Sequence, residues 1–392
     1  MNGSTEPDRL HGLDEQLRQW TDAGLRRHLA ARAGSQGPTI VLDGRPLVNF
    51  GANDYLGLAA DERVIAAAVE SVRHEGWGSG ASPLVAGRSE THSAFETDLA
   101  EFKGTEAALI FASGYAANLG TISALTSQGD AIYSDEKNHA SIIDGCRLSG
   151  SAVHVYPHRD VGRLNELLRE SAQYRRRLIV TDGLFSMDGD LAPLPELAEL
   201  ARQYDCLLMV DEAHSTGVFG QHGRGVSEHF GMHDQVDVHL GTMSKALGSA
   251  GGFVCGRRTL VEWIAQRARS YVFSTAPPAA ASAAALAALQ IVRDEPHRRK
   301  ELLTRSRMIR QAIVQQGWSV GQGEGPILPV YVGQAARAME LAGAMADRGL
   351  YVPGIRPPSV PEGESLLRIS LCYGHTPAMV ERLLAGLAEL AW

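Results

Sequence analysis

The chain is 392 residues long and 44% hydrophobic, enough to bury a sizeable core and to form two domains. Its formal net charge of -8, with Lys and Arg dispersed, offers no basic stripe to neutralise phosphates, so no nucleic-acid partner is expected. Cys146, Cys206, Cys255 and Cys372 lie far apart without CxxC spacing, which indicates neither a zinc site nor a disulfide framework.

In chain order, the opening MNGSTEPDRL is polar and acidic, and no later segment offers ~18 uninterrupted apolar residues, so a soluble cytoplasmic protein without membrane contact is expected. Leu13, Leu17, Trp20, Leu25 and Leu29 recur at helical spacing and predict a helix closed by residues 34–38. Apolar runs at 39–42 and 46–49 flank Asp43-Gly44, a tight-hairpin signal, so residues 1–52 read as an N-terminal arm. Short apolar runs at 107–111, 131–133, 152–155, 178–181, 207–210, 236–240 and 252–255 then alternate with amphipathic helices. Such runs imply strands buried on both faces, hence a large α/β domain over 53–290 with a mostly parallel seven-stranded sheet. Residues 278–316 read as one long or two consecutive helices leading to a smaller α+β C-terminal domain, 291–392. That domain has strands at 327–332, 350–352 and 366–371 and helices at 335–348 and 376–390.

Three features carry chemistry. In GTMSKALGSAGG, Lys245 follows an apolar run and sits among small residues, where poor hydration lowers an amine's pKa as a Schiff-base lysine requires. In LLMVDEAH, a strand delivers Asp211 at its C-terminal end, with His214 three residues on, where parallel sheets bind ligands. DEAH is also a helicase string, but the chain has no GxxxxGK[ST] phosphate loop. Asp211 and His214 with His139 could instead ligate a metal, although no further spacing supports that set. Third, Ser113-Gly114-Tyr115 turns a strand into a helix, exposing N–H groups to an anion. An amine, a carboxylate and an anion cradle together suit pyridoxal phosphate.

Ordered strings then identify a relationship: NDYLGL (53–58), GSGAS (78–82), FASGYAANLG (111–120), NHAS (138–141), FSMDGD (185–190), VDEAHSTGVFG (210–220), GTMSKALG (241–248), STAPP (274–278) and LLRISL (366–371). Over residues 49–371 the chain resembles the α-oxoamine synthases, a branch of the fold-type-I pyridoxal phosphate enzymes. The resemblance implies an aspartate aminotransferase-like fold in which Lys245 tethers the cofactor and removes the substrate's Cα proton. It implies that Asp211 pairs with the ring nitrogen, that His214 and Ser186 bond the phenolic oxygen, and that His139 stacks on the ring. Ser113, Gly114, Tyr115 and Thr242 would hold the phosphate, with Ser274 and Thr275 entering from the partner of a homodimer. Arg368, beside Asn53, would grip the amino-acid carboxylate; no metal is implied.

The segment IRPPSVP at 355–361 is similar to the biotin-pathway branch, which condenses L-alanine with a pimeloyl thioester on coenzyme A or acyl carrier protein, releasing carbon dioxide. Arg356 and Ser359 would then touch the acyl portion or its carboxylate, and Arg26 would lie near the thioester. ASPL at 81–84 departs from that branch and bears on selectivity. The alternatives are another member, of the glycine C-acetyltransferase or 5-aminolevulinate synthase type, or a catalytically silent partner subunit.

Overall fold

Seven short apolar runs build one sheet in the structure, a computed structural model that describes residues 10–391. Most of the polar opening, residues 1–9, lies outside the described residues. The strands are β1 (Ala107–Phe111), β2 (Ala131–Asp135), β3 (Ala152–Tyr156), β4 (Arg177–Asp182), β5 (Leu207–Asp211), β6 (Val238–Thr242) and β7 (Gly252–Gly256). Their spatial order is β3-β2-β4-β5-β6-β7-β1. Neighbours from β3 through β6 run parallel, while β7 is antiparallel to both β6 and β1. Every residue of β2, β6 and β7 is buried, as a sheet covered by helices on both faces requires.

β6 starts at Val238, two residues later than its apolar run predicts, because Val236 closes the short turn His233–Gln235. It then continues to Thr242, which stands at the strand's end.

The arm's helix stops at Asp22, short of the predicted end. Gly24 adopts a left-handed φ of 66°, and the Leu25 and Arg26 N–H groups both fold back onto the Trp20 carbonyl. Leu29, expected on that helix, is 93% exposed beyond it. The hairpin forms as Thr39–Leu42 against Arg45–Asn49, with Asp43 and Gly44 both at positive φ (46° and 77°), the geometry a two-residue turn demands.

Leu350–Tyr351 does not join the C-terminal strands. It pairs in parallel with Val48 and Asn49 of the hairpin. The C-terminal sheet consists of Ile327–Gly333, Ser365–Ser370 and Gly354–Ile355, all antiparallel. The helical stretch is two helices, Ala279–Asp294 and His297–Gln315, separated at Glu295-Pro296. All four cysteines are free thiols. No described helix is long and apolar enough to cross a membrane.

Candidate active site

Parallel register sets Asp182 of β4 level with Asp211 of β5, so two carboxylates stand side by side at the strand ends. Asp211 is fixed from two sides: its Oδ1 accepts from the Ala213 N–H at 2.8 Å and its Oδ2 from the Asn118 amide at 2.7 Å. Asn118 lies on the helix Gly114–Leu125 that follows β1, and its amide also donates to Ser141 Oγ at 2.9 Å. Ser141 Oγ in turn lies 2.7 Å from His139 Nδ1, which also meets the Ser141 N–H at 3.3 Å. With both donors on Nδ1, this network assigns the His139 proton to Nε2. Nε2 makes no hydrogen bond among the described residues and is free to donate outward.

Burial, then the charge of Asp211, push the Asp182 pKa well above the carboxylate range. Its Oδ2 accepts the His139 N–H at 2.7 Å, and its own N–H donates to Asn138 Oδ1 at 2.8 Å. Sequence reasoning missed Asp182, Asn118 and Asn138. The only signal for Asp182 was an aspartate ending the apolar run of β4.

Lys245 lies in the loop joining β6 to β7, half-buried, and its amine makes no hydrogen bond or ion pair among the described residues. Burial pushes its pKa down to about 8, against Asp211 and Asp182, which favour the charged form. His214 is buried and its Nδ1 meets the Tyr55 hydroxyl at 2.6 Å. Burial, then the cations Lys245 and Arg368, hold its pKa well below the imidazole value, so the ring is neutral. Asn53 Oδ1, 3.3 Å from the same hydroxyl, accepts from Arg368 Nη2 at 3.1 Å. Arg368, only 5% exposed, also donates from Nε to the Ser186 carbonyl at 2.6 Å but has no carboxylate partner among the described residues. A buried guanidinium in that state is a ready anion site.

The anion cradle is built by close backbone approach. Ser113 Oγ caps the helix through the Ala116 N–H at 3.1 Å. A Cβ on Gly252 would meet Ser113 O at 2.4 Å and Gly114 N at 2.5 Å, so the start of β7 presses directly on this turn. A Cβ on Gly114 would stand 3.4 Å from the Thr242 side chain, which brings the ends of β1 and β6 together. The Tyr115 hydroxyl is held by Asp144.

A cavity of about 890 Å³ opens here, with His139, Ser186, Ser359 and Val360 among its walls. Arg356 is turned aside: its Nη2 donates to the Arg26 carbonyl at 3.1 Å and its Nη1 lies 2.7 Å from Met339 Sδ. The Arg26 guanidinium faces Thr21 Oγ1 at 3.4 Å, whereas Arg27, not singled out from sequence, reaches Ser359 Oγ at 3.2 Å. Ser274 and Thr275 do not line this cavity; their segment packs on the 78–87 loop through the Ala276 N–H and Ala81 carbonyl. A larger cleft, about 1050 Å³, lies at the opposite ends of the strands among Arg177, Asp237 and Arg257, away from all these residues.

Asp211, His214 and His139 do not converge as metal ligands. The converging set among the described residues is His158, Asp188 and Asp190. There, burial alone would lower the His158 pKa, but Asp135 and Asp190, each 3.0 Å from a ring nitrogen, raise it to about 9. That set is an ion-pair network.

Residues 45–387 match the family described as Aminotransferase class I and II. The chain is 50% identical over 381 residues to the 8-amino-7-oxononanoate synthase of Anaeromyxobacter dehalogenans, covering 97% of this chain and 96% of that one. It is 48% identical to the enzyme of the same name from Geobacter sulfurreducens, covering 96% of each. Among solved structures it is similar to Sphingomonas wittichii serine palmitoyltransferase, with a TM-score of 0.92, 33% identity and 97% of both chains covered. A serine palmitoyltransferase from S. paucimobilis with bound PLP and myriocin gives the same score at 32% identity, covering 97% of this chain and 96% of that one. The chain belongs to the class I and II aminotransferase family, on the branch of the 8-amino-7-oxononanoate synthases.

Proposed function

We propose that the protein condenses L-alanine with a pimeloyl thioester, giving 8-amino-7-oxononanoate, carbon dioxide and free thiol, with pyridoxal phosphate as cofactor. One observation carries the reading. A half-buried Lys245, its amine unpartnered among the described residues, converges with Asp211 and Arg368, in a chain half-identical along its length to 8-amino-7-oxononanoate synthases.

The residues fit the cofactor. Lys245 Nζ is without a partner among the described residues, Asp211 is pinned by Asn118 and Ala213, and the helix N-terminus at Gly114 carries no side chain. Bound there, pyridoxal phosphate supplies an aldehyde that links to amines and a ring that takes up a carbanion's electron pair. Asp211 holds the proton on the ring nitrogen, and the N–H groups after Ser113, with Thr242, hold the phosphate. Arg368 grips the alanine carboxylate and so orients the Cα–H bond. Lys245, with its pKa near 8, exists partly as the neutral amine at physiological pH and removes the Cα proton. His139 donates from Nε2 to the acyl carbonyl oxygen.

A homodimer completes the site. Trp77 (69% exposed), Val85 (79%) and Phe273 (73%) lie on or beside two segments that meet through the Ala276 N–H and Ala81 carbonyl, exposed apolar side chains suited to a second copy that would receive Ser274 and Thr275. We place the reaction in the cytoplasm.

The close likeness to serine palmitoyltransferases favours L-serine with a long acyl thioester as a second reading. A matrix of L-alanine, glycine and L-serine against acetyl, succinyl, pimeloyl and palmitoyl thioesters, read by thiol release, separates them. L-alanine with pimeloyl is the expected best pair; any other best pair overturns the proposal.

A further inference from the structure

Among the residues lining the cavity, Lys137 is the only lysine or arginine. Its backbone N–H is tied to Asp135 Oδ1 at 2.9 Å, at the end of β2, so the base of the side chain is fixed. It precedes His139 by two residues, which puts an ammonium and the His139 ring on one cavity wall. An ammonium donates in three directions. One is taken by Asp188 Oδ1 at 2.9 Å, itself held by the Tyr331 hydroxyl at 3.1 Å. Glu364 Oε2 stands off at 3.5 Å on a side chain 48% exposed, a screened contact that an incoming anion can replace. Glu136, also on the wall, is engaged by the His158 N–H at 2.9 Å. Arg356, the candidate from sequence for an acyl carboxylate, faces Arg26 and Met339 instead.

Resting on the donor reading above, we propose that Lys137 reads the far carboxylate of the acyl chain and so selects a dicarboxylic over a monocarboxylic thioester. The reacting carbonyl sits by His139, the methylenes run along Ile143, Val360 and Leu366, and the terminal carboxylate replaces Glu364 on the ammonium. A chain ending in methyl leaves the ammonium on Asp188 and Glu364 and makes no ionic contact of its own there, so it gains nothing from Lys137.

The test measures kcat/KM for pimeloyl-CoA and heptanoyl-CoA, each with L-alanine, in the holoenzyme. The enzyme prefers pimeloyl-CoA. Lys137→Met lowers the pimeloyl-to-heptanoyl ratio about tenfold, through KM for pimeloyl-CoA, the order expected of a partly screened charge-assisted hydrogen bond. Lys137→Arg retains most of the ratio, and Glu364→Gln, which frees the ammonium, raises it. Visible absorbance of the bound cofactor verifies that each variant keeps its site. An unchanged ratio in Lys137→Met refutes the assignment while leaving the proposed reaction standing. A wild-type enzyme that condenses neither donor with L-alanine refutes both.

Discussion

Replacing Lys103 with Met removes the cation from a fully buried ion pair. Lys103 and Glu212 side chains are both 0% exposed, and the ammonium donates to Glu212 and to the Arg224 carbonyl, with Thr216 Oγ1 at 3.5 Å. Glu212 Oε1 is independently satisfied by the Ser227 N–H at 2.9 Å and hydroxyl at 2.8 Å, but among the described residues Oε2 would keep only His239 Nδ1 at 3.5 Å. A buried charge stripped of its partner costs about 3–5 kcal/mol. Burial alone would raise the Glu212 pKa, yet Lys103 and His239 hold it well below the carboxylate range. In the wild type that contribution is present above the unfolded carboxylate pKa of about 4.3 and is lost as pH falls below it. In Lys103→Met the unpaired carboxylate binds its proton readily, so the deficit shrinks as pH drops. Urea unfolding followed by circular dichroism, at fixed protein and cofactor concentration, should show a lowered midpoint, with Lys103→Met/Glu212→Gln recovering at least about half of the loss. A single variant costing under about 1 kcal/mol, or a double variant no more stable than the single, would refute the reasoning. The pair matters to the site because Glu212 directly follows Asp211.

Lys245 must be neutral to attack an aldehyde. Uptake of pyridoxal phosphate by cofactor-free protein should therefore quicken as pH climbs through about 8 and level off above it, in stopped-flow absorbance; a midpoint near the ordinary lysine value of 10.5 contradicts the site's electrostatics. Gly252→Ala drives a methyl into Ser113 O and Gly114 N, so equilibrium titration should show cofactor affinity falling at least about tenfold while the circular dichroism spectrum persists. Unaltered affinity would mean that this turn does not hold the phosphate. Tyr55→Phe removes the hydroxyl from His214 Nδ1 and should shift the visible absorbance of the holoenzyme; an unchanged spectrum would separate His214 from the cofactor's phenolic oxygen.

All seven central strands were legible because each is a short apolar run, a pattern local to the chain; six are largely buried, while the edge strand β3 leaves Val153 and Val155 exposed. Lys245, Asp211 and His139 were legible from motif strings that the resemblance ordered. What stayed hidden depends on pairings between distant segments. Asp182 matters because β4 and β5 run in a register that sets it beside Asp211, and Asn118 because its amide, from a helix distant in sequence, reaches the Asp211 carboxylate. Leu350–Tyr351 reads as one more C-terminal strand until Val48 and Asn49 are found alongside it. The arm's helix was overextended because Leu25 and Leu29 keep helical spacing after Gly24 has already turned the backbone left-handed. Spacing records which residues could share a face; it does not record where the hydrogen-bond ladder stops.

Everything proposed for the site depends on Lys245 carrying the cofactor. The chain has four lysines, Lys103, Lys137, Lys245 and Lys300, so borohydride reduction of the holoenzyme followed by peptide mass mapping gives a direct answer. The reduced cofactor is expected on the Lys245 peptide, with loss of the visible absorbance on reduction. A modification on Lys137 or any other lysine, or none in a folded protein exposed to pyridoxal phosphate, would contradict it.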